Sequence, residues 1–331
     1  MRVVVFGGTG FVGLNVAERL LARGAEVVLV DRRPPPAPFI RAAAAAAGRL
    51  EVVSTDVRDP KAVATALEGA KAAVYGAAVT PDAQREAADP RGILEVNLTG
   101  WLGVLEAAQR HGVTRLVNLS TAGAYGAAAF GDAPLDEAST TADPVSLYAI
   151  SKLAGERVGD RLRTLWGLEV TSLRLSSVFG PWEHASGVRD TLSPPFQVMR
   201  AVLAGTPVRL ERDDVRDWVY APDVARAVEA VLCAPLPSLP LYNVGPGRSW
   251  SLSAWAQRVA AWHAVDVEVA VDPERATIAS HMPRPRRPLA VDRLRALIDV
   301  DAMAGLEASA DQYAAWAAVH RDLMAEPTAD P

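Results

Sequence analysis

Short, uninterrupted apolar runs alternate with segments of helical periodicity over the first 180 residues. The runs predict six strands, at residues 2–6, 27–30, 50–53, 72–75, 116–119 and 170–175. Apolar positions recurring every three or four residues predict helices between them, at 11–23, 41–47, 60–67, 90–110 and 147–165, with a proline-rich loop at 34–38. Strands that are apolar throughout are buried on both faces, which is typical of a parallel sheet covered by helices.

The character of the chain changes after Gly180. The remainder mixes helices near 195–204, 223–233, 252–263 and 309–324 with strands near 241–244 and 265–271, and a basic, proline-stiffened loop at 282–288. We therefore expect an α/β protein with a Rossmann-type doubly wound parallel sheet in residues 1–180, to which parts of 205–250 return. Residues 181–331 are expected to form mainly a smaller C-terminal α/β substrate-binding lobe.

A glycine-rich turn, Gly7-Gly8-Thr9-Gly10-Phe11-Val12-Gly13, directly follows the first strand and opens the first helix. Glycines let the backbone turn tightly and approach a phosphate, and the N–H groups of the helix N-terminus then bind the anion. An acid, Asp31, ends the second strand 18 residues after Gly13. Strand, turn, helix and acid together predict a dinucleotide site.

The residues around Asp31 bear on which dinucleotide binds. A carboxylate here accepts hydrogen bonds from the adenosine ribose hydroxyls, which favours NAD over NADP. Arg32 and Arg33 follow directly, and an arginine in this place can hold a 2′-phosphate, so NADP stays open as the second choice. Asp56 and Val57, after the third strand, fit either an adenine contact or an ordinary strand-ending turn.

Tyr148 and Lys152 stand four residues apart on one face of a predicted helix. A phenol ionises near pH 10, so a phenolate at neutral pH needs about 4 kcal/mol of stabilisation. One ammonium at about 4–5 Å supplies roughly 3–4 kcal/mol at an effective dielectric constant near 20. Tyr148 is therefore a candidate general base. A surface Tyr–Lys pair is the alternative for these two residues taken alone.

Motifs spread over nearly the whole chain resemble those of the extended short-chain dehydrogenases/reductases of the NAD-dependent epimerase/dehydratase family. Besides the glycine turn, they are Asp56-Val57-Arg58, Gly76-Ala77-Ala78, Asn97 to Gly100, Leu119-Ser120-Thr121 with Tyr125-Gly126, Pro144 through Tyr148 to Lys152, Arg174 through Val178 to Pro181, and Arg216-Asp217 with Asp223. The resemblance implies that Thr121 hydrogen-bonds the reacting oxygen, that Tyr148 moves the proton, that Lys152 also holds the nicotinamide ribose, and that Asn97 positions the active-site helix.

The pattern and the resemblance together define a set of expected cofactor contacts. They are Gly7, Thr9, Gly10, Phe11, Val12, Gly13, Asp31, Arg32, Asp56, Val57, Gly76, Ala77, Ala78, Asn97, Leu119, Tyr148 and Lys152. The cofactor expected from this set is NAD.

Departures from the family's motifs bear on the substrate. Dehydratases of the family carry an Asp-Glu pair after the catalytic threonine, where this chain has Ala122 and Gly123, so a dehydratase is disfavoured. An asparagine that contacts substrate phosphate is replaced by Ser177, and the loop before the Arg-Asp motif is shortened, which puts a nucleotide sugar in doubt. In favour of a nucleotide sugar, Arg216 and Arg284 lie where the family holds phosphate. They could instead clamp the carboxylate of a sugar acid, or be solvated or ion-paired charges.

Three functions follow as alternatives. The first is an epimerase of a sugar or nucleotide sugar, in which the cofactor stays bound. The second is an NAD(P)-dependent dehydrogenase of a free sugar, sugar acid or related hydroxy compound. The third, a non-catalytic dinucleotide sensor, would not need Tyr148 and Lys152. The expected substrate contacts are Thr121, Ala122, Ser177, His184, Arg216 and Arg284. For His184, an exposed loop histidine is the preferred alternative.

Composition narrows the remaining classes. A net charge of −5 gives no reason to expect nucleic-acid or membrane partners, and the scattered histidines predict no metal site. The single cysteine, Cys233, is expected to be buried in a helix, and Trp182, Trp218, Trp250 and Trp255 are expected to pack in the core.

A first strand that begins at Arg2 suggests no signal peptide and a cytoplasmic protein. By resemblance we expect a homodimer formed by the helices at 90–110 and 147–165.

Overall fold

The computed structural model describes residues 1–131, 133–185, 192–236, 238–279 and 285–324. The elements of the first part are β1 Arg2–Phe6, α1 Phe11–Ala22, β2 Glu26–Asp31, α2 Ala37–Ala44, β3 Arg49–Ser54, α3 Pro60–Ala66, β4 Ala72–Tyr75, α4 Ala83–Ala88, α5 Pro90–Leu94, a π-helical turn Glu95–Thr99, α6 Gly100–His111, β5 Arg115–Thr121, a 3₁₀ segment Ala122–Ala129, α7 Leu147–Trp166 and β6 Glu169–Leu175.

The later elements are β7 Ser177–Phe179, α8 Pro194–Leu203, β8 Val208–Leu210, β9 Val215–Arg216, β10 Trp218–Tyr220, α9 Ala221–Cys233, β11 Leu241–Val244, β12 Trp250–Ser251, α10 Leu252–Ala261, β13 Val267–Val269, a 3₁₀ turn Pro273–Arg275, α11 Asp292–Arg295, α12 Leu306–Val319 and α13 Arg321–Met324.

The main sheet of the described chain has the strand order β11-β6-β5-β4-β1-β2-β3, and neighbouring strands pair in parallel throughout. The chain builds outward from β1 in one direction and then returns to build from β4 in the other. The loops after β1 and β4 therefore leave in opposite senses and open a crevice at the carboxyl ends of these strands, which is where ligands of such sheets bind. The predicted doubly wound parallel sheet is confirmed.

Successive side chains of a buried strand point to opposite faces of the sheet, so each face is covered by its own layer of helices. Val3 and Val5 of β1 pack into the core that contains α1 and α9, whereas Val4 and Phe6 pack into the core that contains α3 and α6. A third core joins β7 and β10 to α8, α10 and α12 around the ring of Phe179, with Trp218, Trp250, Trp255 and Tyr313 at ring-centroid distances of 5.5–6.5 Å. The four tryptophans expected in the core are each at most 8% exposed.

Three local expectations were wrong. Cys233 is exposed, because the apolar stripe of α9 runs through Val224, Val228 and Val231 and the last residue of the helix falls on the opposite face. The helix expected at 41–47 begins earlier, at Ala37. Pro38 is tolerated in its first turn, because backbone N–H groups there have no hydrogen-bond partner within the helix in any case. The helix expected at 90–110 is divided by the π-helical turn.

Candidate active site

A cavity of about 430 Å³ opens at the carboxyl edge of the sheet, over the crevice between β1 and β4. Most of the site residues expected from the sequence line it: Gly7, Gly10, Phe11, Val12, Gly13, Asp31, Arg32, Asp56, Val57, Gly76, Ala77, Ala78, Leu119, Thr121, Tyr148, Lys152, Ser177, His184 and Arg216. Thr9, Asn97 and Ala122 do not line it, and Arg284 lies outside the described residues.

The glycine turn forms the floor of the cavity by backbone packing that excludes side chains. Gly7 has a φ of +72°, and a Cβ there would lie 2.5 Å from the backbone nitrogen of Ala77 in the loop after β4. A Cβ on Gly13 would lie 2.3 Å from the carbonyl oxygen of Gly7. Helix α1 then begins behind Gly10 without a side-chain cap, so its first N–H groups are left for an anion.

Replacing Gly13 with alanine is expected to destabilise the turn by several kcal/mol, because the backbone it meets cannot move without displacing β1. Dinucleotide affinity should fall with it. Gly103, in α6, is the matched control because nothing lies within 4 Å of its added Cβ. Gly103→Ala should stabilise the protein by about 0.5–1 kcal/mol through the better helix propensity of alanine. Thermal or urea unfolding of both variants measures the opposite signs, and similar effects from the two would contradict the packing.

Two carboxylates, Asp31 and Asp56, line the cavity where β2 and β3 end. Asp31 accepts hydrogen bonds from the backbone N–H groups of Arg32 at 2.8 Å and Thr9 at 3.3 Å, which fix its carboxylate at the end of β2. Asp56 is gripped by the guanidinium of Arg58, with N–O distances of 3.0 and 2.8 Å, and this pairing lowers the Asp56 pKa. Thr9 was expected to contact the cofactor, but it does not line the cavity. Its backbone N–H instead orients the carboxylate of Asp31, which does line the cavity.

The three expected catalytic residues meet in the same cavity. Thr121 ends β5, and its hydroxyl oxygen accepts a hydrogen bond from the Gly123 backbone at 3.0 Å, which leaves the hydroxyl proton to donate elsewhere. Tyr148, in the first turn of α7, is half-buried, and Lys152, one turn on, is only 3% exposed. The ammonium of Lys152 makes no hydrogen bond with any residue in the described part of the chain. Its donors are therefore directed at whatever the cavity holds.

Burial sets the charge of Lys152. Removal from water lowers its pKa to about 8, and the carboxylate of Glu156, one turn further along α7, partly opposes this shift. Glu156 is itself held by Arg174, with N–O distances of 2.7–3.2 Å, and by the Ser120 hydroxyl at 2.5 Å. With its pKa lowered to about 8, the Lys152 ammonium is still mostly charged at neutral pH.

Asn97 acts behind the wall of the cavity. Its side-chain oxygen accepts from the Val79 backbone at 2.8 Å and its amide donates to the Ser151 hydroxyl at 3.1 Å, tying the loop after β4 to α7. Asn97 sits in the π-helical turn. The buried hydroxyl of Tyr75 donates to the Val96 carbonyl of the same turn.

The part of the cavity lining contributed by residues 176–218 and the basic loop is here termed the substrate end, and it includes Ser176, Ser177, Glu183, His184, Ser193, Arg216, Trp218 and Arg286. Arg216 is buried, paired through Nε with Asp214 at 2.6 Å and through Nη2 with the same carboxylate, and stacked on Trp218 at 4.9 Å. His184 is half-buried rather than exposed, with Nδ1 2.9 Å from the Trp182 carbonyl oxygen. Ala122, expected to touch substrate, is instead fully buried in the core.

Sequence reasoning missed two charged residues of the substrate end. Arg286 lines the cavity from the basic loop, two positions after the expected Arg284, and its Nη2 donates to Asp217 at 3.1 Å. Glu183 is 1% exposed and accepts from the backbone and hydroxyl of Ser193 at 2.7 and 2.5 Å. The only available signal was the density of arginines at 284–287, which carries no information on side-chain direction.

Neither a metal centre nor a membrane span is evident in the described ranges. No group of three or more His, Cys, Asp or Glu side chains within them is arranged to hold a metal ion. None of the helices described there is long and apolar enough to cross a lipid bilayer.

A doubly wound sheet with a glycine turn at its crevice, and Thr, Tyr and Lys in the same cavity, is the architecture of an extended short-chain dehydrogenase/reductase. Comparison with known proteins agrees: the model of the NAD-dependent epimerase/dehydratase family matches residues 3–245, so the chain belongs to that family. The resemblance expected from the motifs is confirmed.

Individual relatives fall into more than one activity. The chain is 29% identical over 253 residues to UDP-glucose 4-epimerase of Mycolicibacterium smegmatis, covering 75% of this chain and 78% of that protein. It is 30% identical over 236 residues to dTDP-glucose 4,6-dehydratase of the same organism, covering 70% and 69%. The structure of Thermus thermophilus UDP-glucose 4-epimerase in complex with NAD matches with a TM-score of 0.69 at 28% identity, covering 95% of this chain and 99% of that chain.

Proposed function

We propose that the protein is an NAD-dependent enzyme that transfers hydride at a carbinol carbon of a sugar-like substrate, with epimerisation as its reaction. The observation that carries this proposal is that Thr121, Tyr148 and Lys152 line the same cavity as the glycine turn. Relatives named as UDP-glucose 4-epimerases support the assignment. NAD, when bound, supplies a reversible hydride acceptor, so that oxidation of a carbinol and its reduction from the opposite face invert the centre.

The residues at the cofactor side fit NAD. The turn at Gly7 and Gly13 has no room for side chains, and the uncapped start of α1 offers N–H groups to a pyrophosphate. Asp31 lies at the end of β2, where a carboxylate binds ribose hydroxyls. The ammonium of Lys152 is suited to the nicotinamide ribose, and Asp56 and Val57 line the cavity near where the adenine would lie.

The chain's own residues then divide the proton chemistry. Thr121 donates its hydroxyl proton to the reacting oxygen, because its own oxygen is occupied as an acceptor by Gly123. Tyr148 takes the substrate hydroxyl proton as phenolate and returns it as phenol. Lys152 stabilises that phenolate through its charge, and Asn97 fixes α7 so that the two side chains keep their distance.

A second candidate function is a net dehydrogenase of a free sugar, sugar acid or related hydroxy compound. The observation in its favour is that Asp214 already occupies the Nε and Nη2 of Arg216, so that this arginine is poorly placed to bind a diphosphate. A dehydratase is disfavoured, because Ala122 and Gly123 follow Thr121 and neither can donate or accept a proton.

The assembly and domain division are proposed on the same basis. Leu102 of α6 and Ile150 and Leu165 of α7 are exposed apolar side chains, which supports a homodimer through these helices. Residues 1–180 with returning parts of 205–250 would form the dinucleotide-binding domain, residues 181–331 mainly the substrate lobe, and the protein would act in the cytoplasm. The molar mass measured by light scattering after size-exclusion chromatography tests whether the protein is a dimer.

A substrate panel separates the two reactions. Purified protein with NAD is given free sugars, sugar acids and nucleotide sugars, and both the absorbance of NADH and the isomeric composition of the products are followed. An epimerase yields isomerised product without net NADH, whereas a dehydrogenase yields one NADH per product. If no member of the panel is either oxidised or isomerised while NAD binds normally, the proposed activity is wrong.

Asp31 is expected to set the preference for NAD. Replacing it with serine removes a carboxylate that would repel a 2′-phosphate and leaves Arg32 and Arg33, both exposed and lining the cavity, to bind that phosphate. The preference for NAD over NADP should fall by about a hundredfold, as measured by the dissociation constants of the two cofactors. Adding Arg32→Ala should reverse part of the gain for NADP, and an unchanged preference in Asp31→Ser would exclude Asp31 as the determinant.

A further inference from the structure

Arg286 is a buried cation at the substrate end with donors that the protein does not use. Its Nη2 donates to the Ser176 hydroxyl at 2.8 Å and to Asp217 Oδ1 at 3.1 Å. The side chain is 9% exposed and lines the cavity, and its buried Nε has no hydrogen-bond partner among the residues described. Because Arg286 lines the cavity and the described residues accept hydrogen bonds only from its Nη2, a ligand that brings an acceptor to the rest of the guanidinium would be favoured.

Arg216, the other cation of the substrate end, has a different environment. Asp214, which is itself 3% exposed, takes both its Nε and its Nη2. A two-point pair of this kind offsets the charge of the guanidinium and uses one of its two bidentate edges. A phosphate bound at that edge would have to displace a buried carboxylate, and one bound at the other edge would meet a cation whose charge Asp214 already offsets.

The charge balance of the substrate end favours few negative charges on the ligand. Among the described residues of this end, Glu183 lines the cavity, and Asp214 and Asp217 pair with Arg216 and Arg286, so three carboxylates accompany two guanidinium groups. Arg286 and, after it, Arg212 are close enough to repel Arg216, but Arg212 does not line the cavity. A diphosphate would bring two negative charges into this setting, whereas a single carboxylate needs one cation.

Ser177 supplies a neutral donor at the same end of the cavity. It lines the cavity in β7, next to Ser176 in the chain, and its hydroxyl forms no hydrogen bond with another residue in the ranges that the structure describes. The hydroxyl of Ser176 is not available in the same way, because it donates to the Asp217 carbonyl at 2.6 Å. A charged fork and a hydroxyl together are a fitting set of donors for one carboxylate group.

We propose that the substrate end is a site for one carboxylate, anchored by Arg286, and that the substrate is a sugar acid without a nucleotide. This inference rests on the proposed function, which requires a carbinol within reach of Thr121 and Tyr148, and it applies to epimerisation and to net oxidation equally. Asp217 is a positioning residue in this account, because it orients Arg286 without reaching the ligand.

The first test measures binding to the NAD-loaded wild-type protein by calorimetry. The probes are D-galacturonate, D-glucuronate and D-gluconate, with D-galactose as the uncharged comparison and UDP as the diphosphate. At least one acid is expected to bind about tenfold more tightly than D-galactose and than UDP. Tighter binding of UDP than of every acid, or no binding of any acid, would overturn the inference while leaving the proposed hydride transfer to be judged by the substrate panel.

Asp214→Asn tests whether the buried ion pair between Asp214 and Arg216 prevents Arg216 from binding a diphosphate. The expected result is a gain in affinity. Releasing Arg216 from its counter-charge should strengthen UDP binding by about tenfold and change the affinity for the acid by no more than about threefold. A merely structural role for Asp214 would not improve binding of a diphosphate. An unchanged or weaker affinity for UDP in the folded variant would contradict the account.

The role of Arg286 is tested with variants that do not leave its buried partner Asp217 as an unpaired charge. Arg286→Met alone would leave Asp217 buried without its cation, so it is combined with Asp217→Asn, and Arg286→Lys serves as the variant that keeps the charge. Affinity for the acid should fall about a hundredfold in the double variant and about tenfold in Arg286→Lys, with NAD and D-galactose affinities unchanged. Retention of acid binding in either folded variant would remove Arg286 as the anchor.

Discussion

Tyr148→Phe is expected to lower turnover about a thousandfold while leaving NAD affinity within about twofold of wild type. The change removes one oxygen from a half-buried side chain and keeps the ring that lines the cavity. It therefore removes the proton acceptor without removing a wall of the site. Turnover is measured on the best substrate of the panel, and NAD binding by calorimetry.

Tyr125→Phe is the matched control for this loss. Tyr125 is fully buried, does not line the cavity, and donates its hydroxyl to Asn243 at 2.9 Å, so that its replacement costs about 1 kcal/mol of stability and little activity. Equal losses of turnover in the two variants would mean that the effect of Tyr148→Phe is structural. Full turnover in Tyr148→Phe would refute the assignment of the base.

Lys152→Met is expected to be less active by at least about a hundredfold and yet more stable than wild type at pH 6–7. The activity falls because the phenolate loses its cationic neighbour. The stability rises by about 3 kcal/mol at most, since the pKa of Lys152 is lowered by burial to about 8 from an ordinary 10.5. Glu156 keeps its hydrogen bonds to Arg174 and Ser120, so the variant leaves no carboxylate unpaired.

The pH dependence of that stability difference follows from the direction of the shift. Between pH 8 and about 10.5 the unfolded chain binds a proton at Lys152 that the folded chain has released, so wild-type stability from this group rises with pH. The advantage of Lys152→Met should therefore be largest below pH 8 and fade by about pH 10.5. Urea unfolding at several pH values measures it.

Lys71→Met provides the comparison, because Lys71 is exposed and should change stability by less than about 0.5 kcal/mol. A Lys152→Met variant less stable than wild type at pH 6 would show that the ammonium is well paired in the folded protein. That outcome would also remove the explanation offered for its lowered pKa.

The sheet and the cofactor side of the site could be predicted because both are encoded locally. Apolar runs such as residues 2–6 are long enough to cross a buried parallel sheet, and the carboxyl ends of parallel strands meet at one edge. The glycine turn and Asp31 then had to lie together, since each directly follows a strand. Tyr148 and Lys152 could be paired for the same reason, as neighbours on one turn of α7.

The substrate end could not be predicted, because its contacts join segments far apart in the chain and without periodicity. Arg284 and Arg286 differ in no local property, and only the packing of the loop against Ser176 and Asp217 brings Arg286 to the cavity. The pairing of Asp214 with Arg216 depends likewise on the direction of two side chains. The π-helical turn at Glu95–Thr99 escaped notice because one wider turn barely alters helical periodicity.

The measurement that bears most directly on the account is the absorbance of phenolate as a function of pH, taken as the difference between wild type and Tyr148→Phe with NAD bound. Burial raises the pKa values of four other tyrosines, Tyr75, Tyr125, Tyr220 and Tyr313, so these side chains stay protonated near neutrality. If Lys152 and the bound cofactor acidify Tyr148, the difference signal of one phenolate appears near neutral pH, well below the value of about 10 for an ordinary phenol. A difference signal that appears only at pH 10 or above would contradict the account.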